Sequence, residues 1–140
     1  MKISLLEIVF AAAVVIVMLV VLYKFYPRHL KQAYFVERWK KLQTNCKNKN
    51  TWPKALEDAD RLLKKALNKK KLKGKSMGEK MVSAQRIFTD NDALWHAHNL
   101  YKKIVADDVS LKESEMKDAL VGFRQALRDL GALPKNESDK

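Results

Sequence analysis

From Ile8 to Tyr23 every residue is apolar, and no Gly or Pro interrupts the run. With Ile3, Ser4, Leu5, Leu6 and Glu7 added, a helix over this segment is about 31 Å long at ~1.5 Å per residue. That length matches a bilayer hydrocarbon core of roughly 30 Å. A helix pairs its own backbone polar groups, so lipid tolerates it. Glu7 is the one charge, placed near the end, where it reaches headgroups and lies close to the positive pole of the helix dipole.

After the run the pattern changes to a spacing of three and four. Pro27 is expected to kink or end the first helix. From Arg28 to about Cys46, Phe35, Trp39, Leu42 and Cys46 form one stripe, and 45–50 reads as a polar loop. Thr51 is placed as an N-cap, with Pro53 in the first turn. Ala55, Leu56, Ala59, Leu62, Leu63, Ala66 and Leu67 then make the clearest amphipathic face in the chain. Glu57 with Arg61 and Asp60 with Lys64 are expected as i,i+4 pairs on its outer side.

Ser76-Met77-Gly78-Glu79 is a capping box opening a short helix with the stripe Met77, Met81, Ala84 and Phe88. Residues 89–92 cap the next helix, whose expected inner face is Leu94, Ala97, His98, Tyr101, Ile104 and Val105; Asp107 and Asp108 end it. Ser110 to Glu113 reads as a second capping box. Met116, Ala119, Leu120, Phe123, Leu127 and Leu130 give the last helix its core face, with Gly131 at C′ and Pro134 blocking continuation. No strand pattern competes. The expected architecture is all-α: a transmembrane anchor over 1–26, a juxtamembrane helix and loop over 27–50, a bundle of four to five short helices over 51–133, and a disordered tail over 134–140.

Charge orients the anchor. Only Lys2 and the α-amino group precede the apolar run, whereas Lys24, Arg28, Lys31, Arg38, Lys40 and Lys41 follow it. The positive-inside rule puts the C-terminal side in the cytoplasm, with Tyr23, Phe25 and Tyr26 at the inner interface. A cleaved signal peptide fits less well, because Leu22-Tyr23-Lys24-Phe25-Tyr26 is a poor cleavage site. Residues 3–7 also resemble the start of mature type IV pilins, but Lys2 stands where their precursors need a small residue.

The net charge is +12. Residues 24–76 carry 17 basic and 4 acidic side chains, while 77–140 are nearly balanced. The excess therefore lies on the half nearer the anchor. Cys46 is the single cysteine, so no intramolecular disulfide forms, which suits a reducing compartment.

The densest basic stretch is Arg61, Lys64, Lys65, Lys69, Lys70, Lys71, Lys73 and Lys75. A solvated face is the plain reading. Contact with anionic lipid comes next, since the anchor holds the stretch near headgroups. Nucleic acid is third, because no aromatic interleaves with the lysines. Gly74-Lys75-Ser76 mimics the end of a phosphate-binding loop, but Lys69 stands where the first Gly belongs. His96 and His98 point roughly 200° apart on a helix and cannot share a metal alone. His98 reads as a hydrogen-bonded core histidine and His96 as exposed. No cofactor or metal set is expected.

Residues 93–100 and 119–133, with support from 52–67 and 74–81, resemble a family of small single-pass proteins of Patescibacteria-type bacteria. The resemblance implies a HEPN-like helical domain, a scaffold that often serves metal-independent ribonucleases when two copies pair. Its motif, Leu-Arg-Asn-x-x-x-His, is degenerate in this chain. Tyr101 replaces the Arg, Lys102 the Asn and Ala106 the His; Leu100 and Ile104 keep the apolar frame. The resemblance thus implies the scaffold without the catalysis. The expected function is a membrane-anchored, non-catalytic scaffold or binding module on the cytoplasmic face. Its partners would be the bilayer, anionic headgroups, and a protein partner or second copy. RNA processing and a pilin-like envelope role are the alternatives.

Overall fold

The computed structural model describes residues 2–25, 29–107 and 110–135. Several expectations lie outside the described residues: the break at Pro27, the belt position of Tyr26 and of the Phe25 side chain, the basic flank at Arg28, the contribution of Asp108, and residues 136–140 of the tail.

Six α-helices and one 3₁₀ turn occur among the described residues, with no strand. They are α1 (Leu5–Phe25), α2 (Gln32–Asn45), α3 (Trp52–Lys69), α4 (Met77–Ser83), α5 (Asn91–Asp107) and α6 (Glu113–Asp129), with the 3₁₀ turn at Lys49–Thr51 before α3.

α1 is long and apolar enough to cross a membrane, and none of its span is buried against the rest of the chain. Its first turn holds a capping box. The Ser4 hydroxyl accepts from the Glu7 amide at 3.3 Å, and the Glu7 carboxylate accepts from the Ser4 amide at 3.1 Å. Glu7 therefore neutralises orphan donors at the helix start, a local role that the Ser-x-x-Glu spacing spells out.

The other five helices share one core. α3 is its axis, packed against α2, α4, α5 and α6, and α5 against α6 is the most extensive pairing. All seven apolar positions expected on α3 are buried. α2 is part of this body and not a separate juxtamembrane piece, because Phe35, Trp39 and Leu42 enter the same core. α2 and α3 run antiparallel, joined by the short loop after Asn45. Close to the start of α2, Gln32 Nε2 donates to the Gly131 carbonyl at 3.3 Å, so the first and last helices of the bundle meet at one end.

α5 and α6 approach closely at Gly122. A Cβ there would come within 2.8 Å of the Ala93 carbonyl oxygen. Because that neighbour is backbone, Gly122→Ala should push the two helices apart and destabilise the bundle by about 1–3 kcal/mol. Urea unfolding followed by tryptophan fluorescence checks it; an unchanged midpoint would mean the helices have room to part.

The helix ends correct several expectations. Thr51 stands at the N-cap of α3, but its hydroxyl makes no cap bond. It donates instead to the Asn45 and Asn48 carbonyls at 2.5 and 2.9 Å, closing the loop. Ser110 to Glu113 is not a capping box: α6 starts at Glu113 with Lys112 as N-cap, so Glu113 is one residue into the helix, not three. Leu111 is buried, which keeps this stretch extended toward the core. Val105 is 68% exposed, because it lies about 100° around α5 from the buried Ile104. Ser76 and Glu79 do form their box, Asp90 caps α5 through the Ala93 amide, and Gly131 has φ +81°. The Ala132 and Gly131 amides bond the Leu127 and Arg128 carbonyls, the pattern of a Schellman C-cap.

α3 ends the same way, with Lys71 in the position glycine usually fills. Its φ is +57°, and the Leu72 and Lys71 amides bond the Leu67 and Asn68 carbonyls. The loop beyond is fixed. Ser83 Oγ donates to the Lys73 carbonyl at 2.6 Å, and Glu79 Oε2 accepts from the Lys75 amide at 2.6 Å.

Candidate functional site

Two polar clusters stand out, one sealed inside the bundle and one open on its surface. Inside, Asp60 and His98 are the only charged or polar residues buried among those described. Asp60 was expected outside, paired with Lys64. It lies instead at one edge of the core arc of α3, beside Leu67, and Asp60 Oδ1 meets His98 Nδ1 at 2.7 Å. With the carboxylate ionised, Nδ1 carries the proton and donates. Trp95 meets the histidine ring edge-on, with centroids 6.2 Å apart. This pair joins α3 to α5 and is closed to a substrate.

Tyr101 is one turn further along α5. Burial raises its phenol pKa, and the Asp60 and Glu57 charges raise it further. It stays protonated and uncharged at neutral pH. Lys102, Lys103 and Ala106 are exposed. Lys102 and Ala106, four residues apart, share an exposed face of α5, while Tyr101 is half-buried about 100° around from Lys102, so the motif positions offer one phenol, one solvated cation and a methyl group.

The surface cluster lies in the groove between α2 and α3. It has a volume of about 430 Å³, and Tyr34, Arg38, Leu42, Arg61, Leu62 and Lys65 are among the residues that line it. Lys65 Nζ donates to Tyr34 Oη at 2.7 Å and stands 4.1 Å from the ring centroid. Arg38 lies 5.3 Å and Lys69 5.8 Å from the same centroid. The Lys65 hydrogen bond lowers the Tyr34 pKa most; burial opposes it, and the Arg38 and Lys65 charges, each a smaller effect than burial, lower it further. The antiparallel α2–α3 arrangement makes this cluster, because it brings the first turn of α2 against the last turns of α3.

Of the basic stretch read from sequence, Lys65 and Lys69 join this cluster. Arg61 also lines the groove but is tied to Glu57 at 2.8 Å. Lys64 is exposed on α3, and Lys70 is half-buried at its end. Lys71, Lys73 and Lys75 lie on the ordered loop, where Lys71 Nζ is 5.1 Å from the ring centroid of Tyr23, near the end of α1. Tyr34 and Arg38 were not candidates in the sequence, since their significance comes from α3.

No protein-family model matches the chain, and no curated protein or solved structure matches it.

Proposed function

We infer that the protein is a single-pass membrane protein holding a non-catalytic helical binding module against the cytoplasmic face of the inner membrane. The observation that carries this reading is α1: a 21-residue apolar helix, wholly exposed, beside a bundle whose core closes without it. Exposed apolar surface on that scale is costly in water and favourable in lipid. The orientation follows from Lys24, Lys31, Arg38, Lys40 and Lys41 after the helix against Lys2 before it.

The module is read as HEPN-like in scaffold, supported by the helical bundle and by the resemblance around α5 and α6. The absence of catalysis is argued from the motif positions. Ala106 has no proton to move, and Tyr101 is uncharged and turned toward Asp60 and Glu57. Lys102 and Lys103 offer charge without a proton shuttle.

Topology is the test. Cys46 is a poor probe, because burial raises its thiol pKa and its Sγ donates to the Leu42 carbonyl at 3.4 Å. Less thiolate means slower alkylation. A cysteine placed at the exposed Lys103, in a Cys46→Ser background, should react with a membrane-impermeant maleimide only after cells are opened. Labelling in intact cells would reverse the orientation.

A further inference from the structure

The Tyr34 cluster is a gathering of like charges that lacks a counterion. Neighbouring carboxylates are paired with other cations: Glu37 with Lys41, Glu57 with Arg61 and Lys54, and Asp58, which itself lines the groove, with Lys54. No carboxylate lies within ion-pair distance of Arg38, Lys65 or Lys69 among the described residues. Three cations around one ring repel each other, and the ring face and phenol oxygen offset only part of this. An anion in the groove would complete the arrangement.

We propose that this cluster binds the phosphate of an anionic phospholipid in the leaflet at the C-terminal end of α1. The proposal rests on reading α1 as a bilayer anchor and adds the ligand and the residues that hold it. The donor set fits: the Arg38 fork, the Lys65 and Lys69 ammonium groups, and the Tyr34 O–H. Because Lys65 already donates to Tyr34 Oη, the phenol proton is left for a ligand oxygen. A phosphodiester presents acceptors only, so every group in the set finds its complement. Leu42 and Leu62, which also line the groove, give the glycerol carbons an apolar wall.

Position selects a lipid over other phosphates. Tyr34 is in the first turn of α2, and the α3 end beside it leads into the loop whose Lys71 stands over Tyr23 of α1. The groove runs from Tyr34 and Lys65 to Asn45 and Lys54, and the Tyr34 cluster lies at its end nearest the anchor. RNA is disfavoured because cations already stand over the Tyr34 ring, where a base would stack.

The test is native mass spectrometry of the full chain released from neutral detergent micelles, with phosphatidylglycerol or phosphatidylcholine added. Wild type should retain phosphatidylglycerol and not phosphatidylcholine. The triple variant Arg38→Gln/Lys65→Gln/Lys69→Gln should bind it about tenfold more weakly, and Tyr34→Phe severalfold more weakly. The control Lys71→Gln/Lys73→Gln/Lys75→Gln removes equal charge outside the groove and should stay within about twofold of wild type. Tyr34→Phe removes one oxygen, so it remains informative if the triple variant misfolds.

Equal loss in the control, equal retention of phosphatidylcholine, or unaltered binding by Tyr34→Phe overturns the site. Displacement by millimolar inorganic phosphate would make it a soluble-anion site, and tighter retention of a single-stranded RNA oligonucleotide would make it a nucleic-acid site. Carbonate washing of membranes tests the anchor separately. A chain released by carbonate sinks the reading of α1, whereas a chain that stays but shows no lipid preference sinks the headgroup site alone.

Discussion

Replacing His98 with Ala lowers the unfolding free energy of the bundle by about 3 kcal/mol, the upper end for leaving a buried acceptor without its donor. The reason is what remains behind. Asp60 is 7% exposed, and its Oδ1 accepts from His98 Nδ1 at 2.7 Å. Without the imidazole the buried carboxylate loses its only hydrogen-bond donor among the described residues. Asp60→Asn should cost less, about 1 kcal/mol, because an amide oxygen still accepts from Nδ1–H. The double variant Asp60→Leu/His98→Leu should recover much of the loss, since well-packed apolar residues often replace a buried pair without penalty. Urea unfolding followed by tryptophan emission reads this directly, as Trp95 lies against His98 and α1 contains no tryptophan. If His98→Ala unfolds at the wild-type urea concentration, the carboxylate has found another donor and the pair is dispensable.

Truncating Leu63 to Ala should cost about 2–5 kcal/mol, from lost burial plus the cavity left behind. Leu63 is fully buried on α3, the one helix that packs against α2, α4, α5 and α6. Collapse around the gap would have to move several helices at once, which places the expected value in the upper half of the range. Val105→Ala is the comparison. Its side chain is 68% exposed, and surface truncations of this kind stay within about ±0.5 kcal/mol. Equal effects from the two substitutions would mean that the core does not lie where the structure puts it.

How much of this could be read from the chain depended on how far apart the partners are. The apolar face of α3 repeats locally, so residues 55–67 predict it correctly, and the start of α4 follows from the Ser76–Glu79 box; its end does not, because the stripe through Ala84 to Phe88 reads as helix whereas α4 stops at Ser83 and passes into turns. Asp60 was misplaced because Lys64, four residues on, offered a simpler partner than a histidine 38 positions away. Lys71 was missed as a helix stop because glycine is the usual residue at φ +57°, and the nearest one, Gly74, lies beyond the turn. The lysine run could be read as charge. Its aromatic partner could not, because Tyr34 is 31 residues from Lys65 and meets it only when α2 folds back along α3. Ser110 to Glu113 shows the opposite error, a correct local motif overridden by the burial of Leu111.

The bond from Gln32 to the Gly131 carbonyl has a practical consequence. The chain leaves the bundle beside the point where it came in, so entry and exit share one pole. Anything fused behind α6, whether a fluorescent protein or an affinity tag, starts at that pole and competes for space with the Tyr34 cluster. The loop from Cys46 to Thr51 occupies the far pole, at the other end of α2. A reporter or cross-linker introduced there would leave the pole of entry and exit unobstructed.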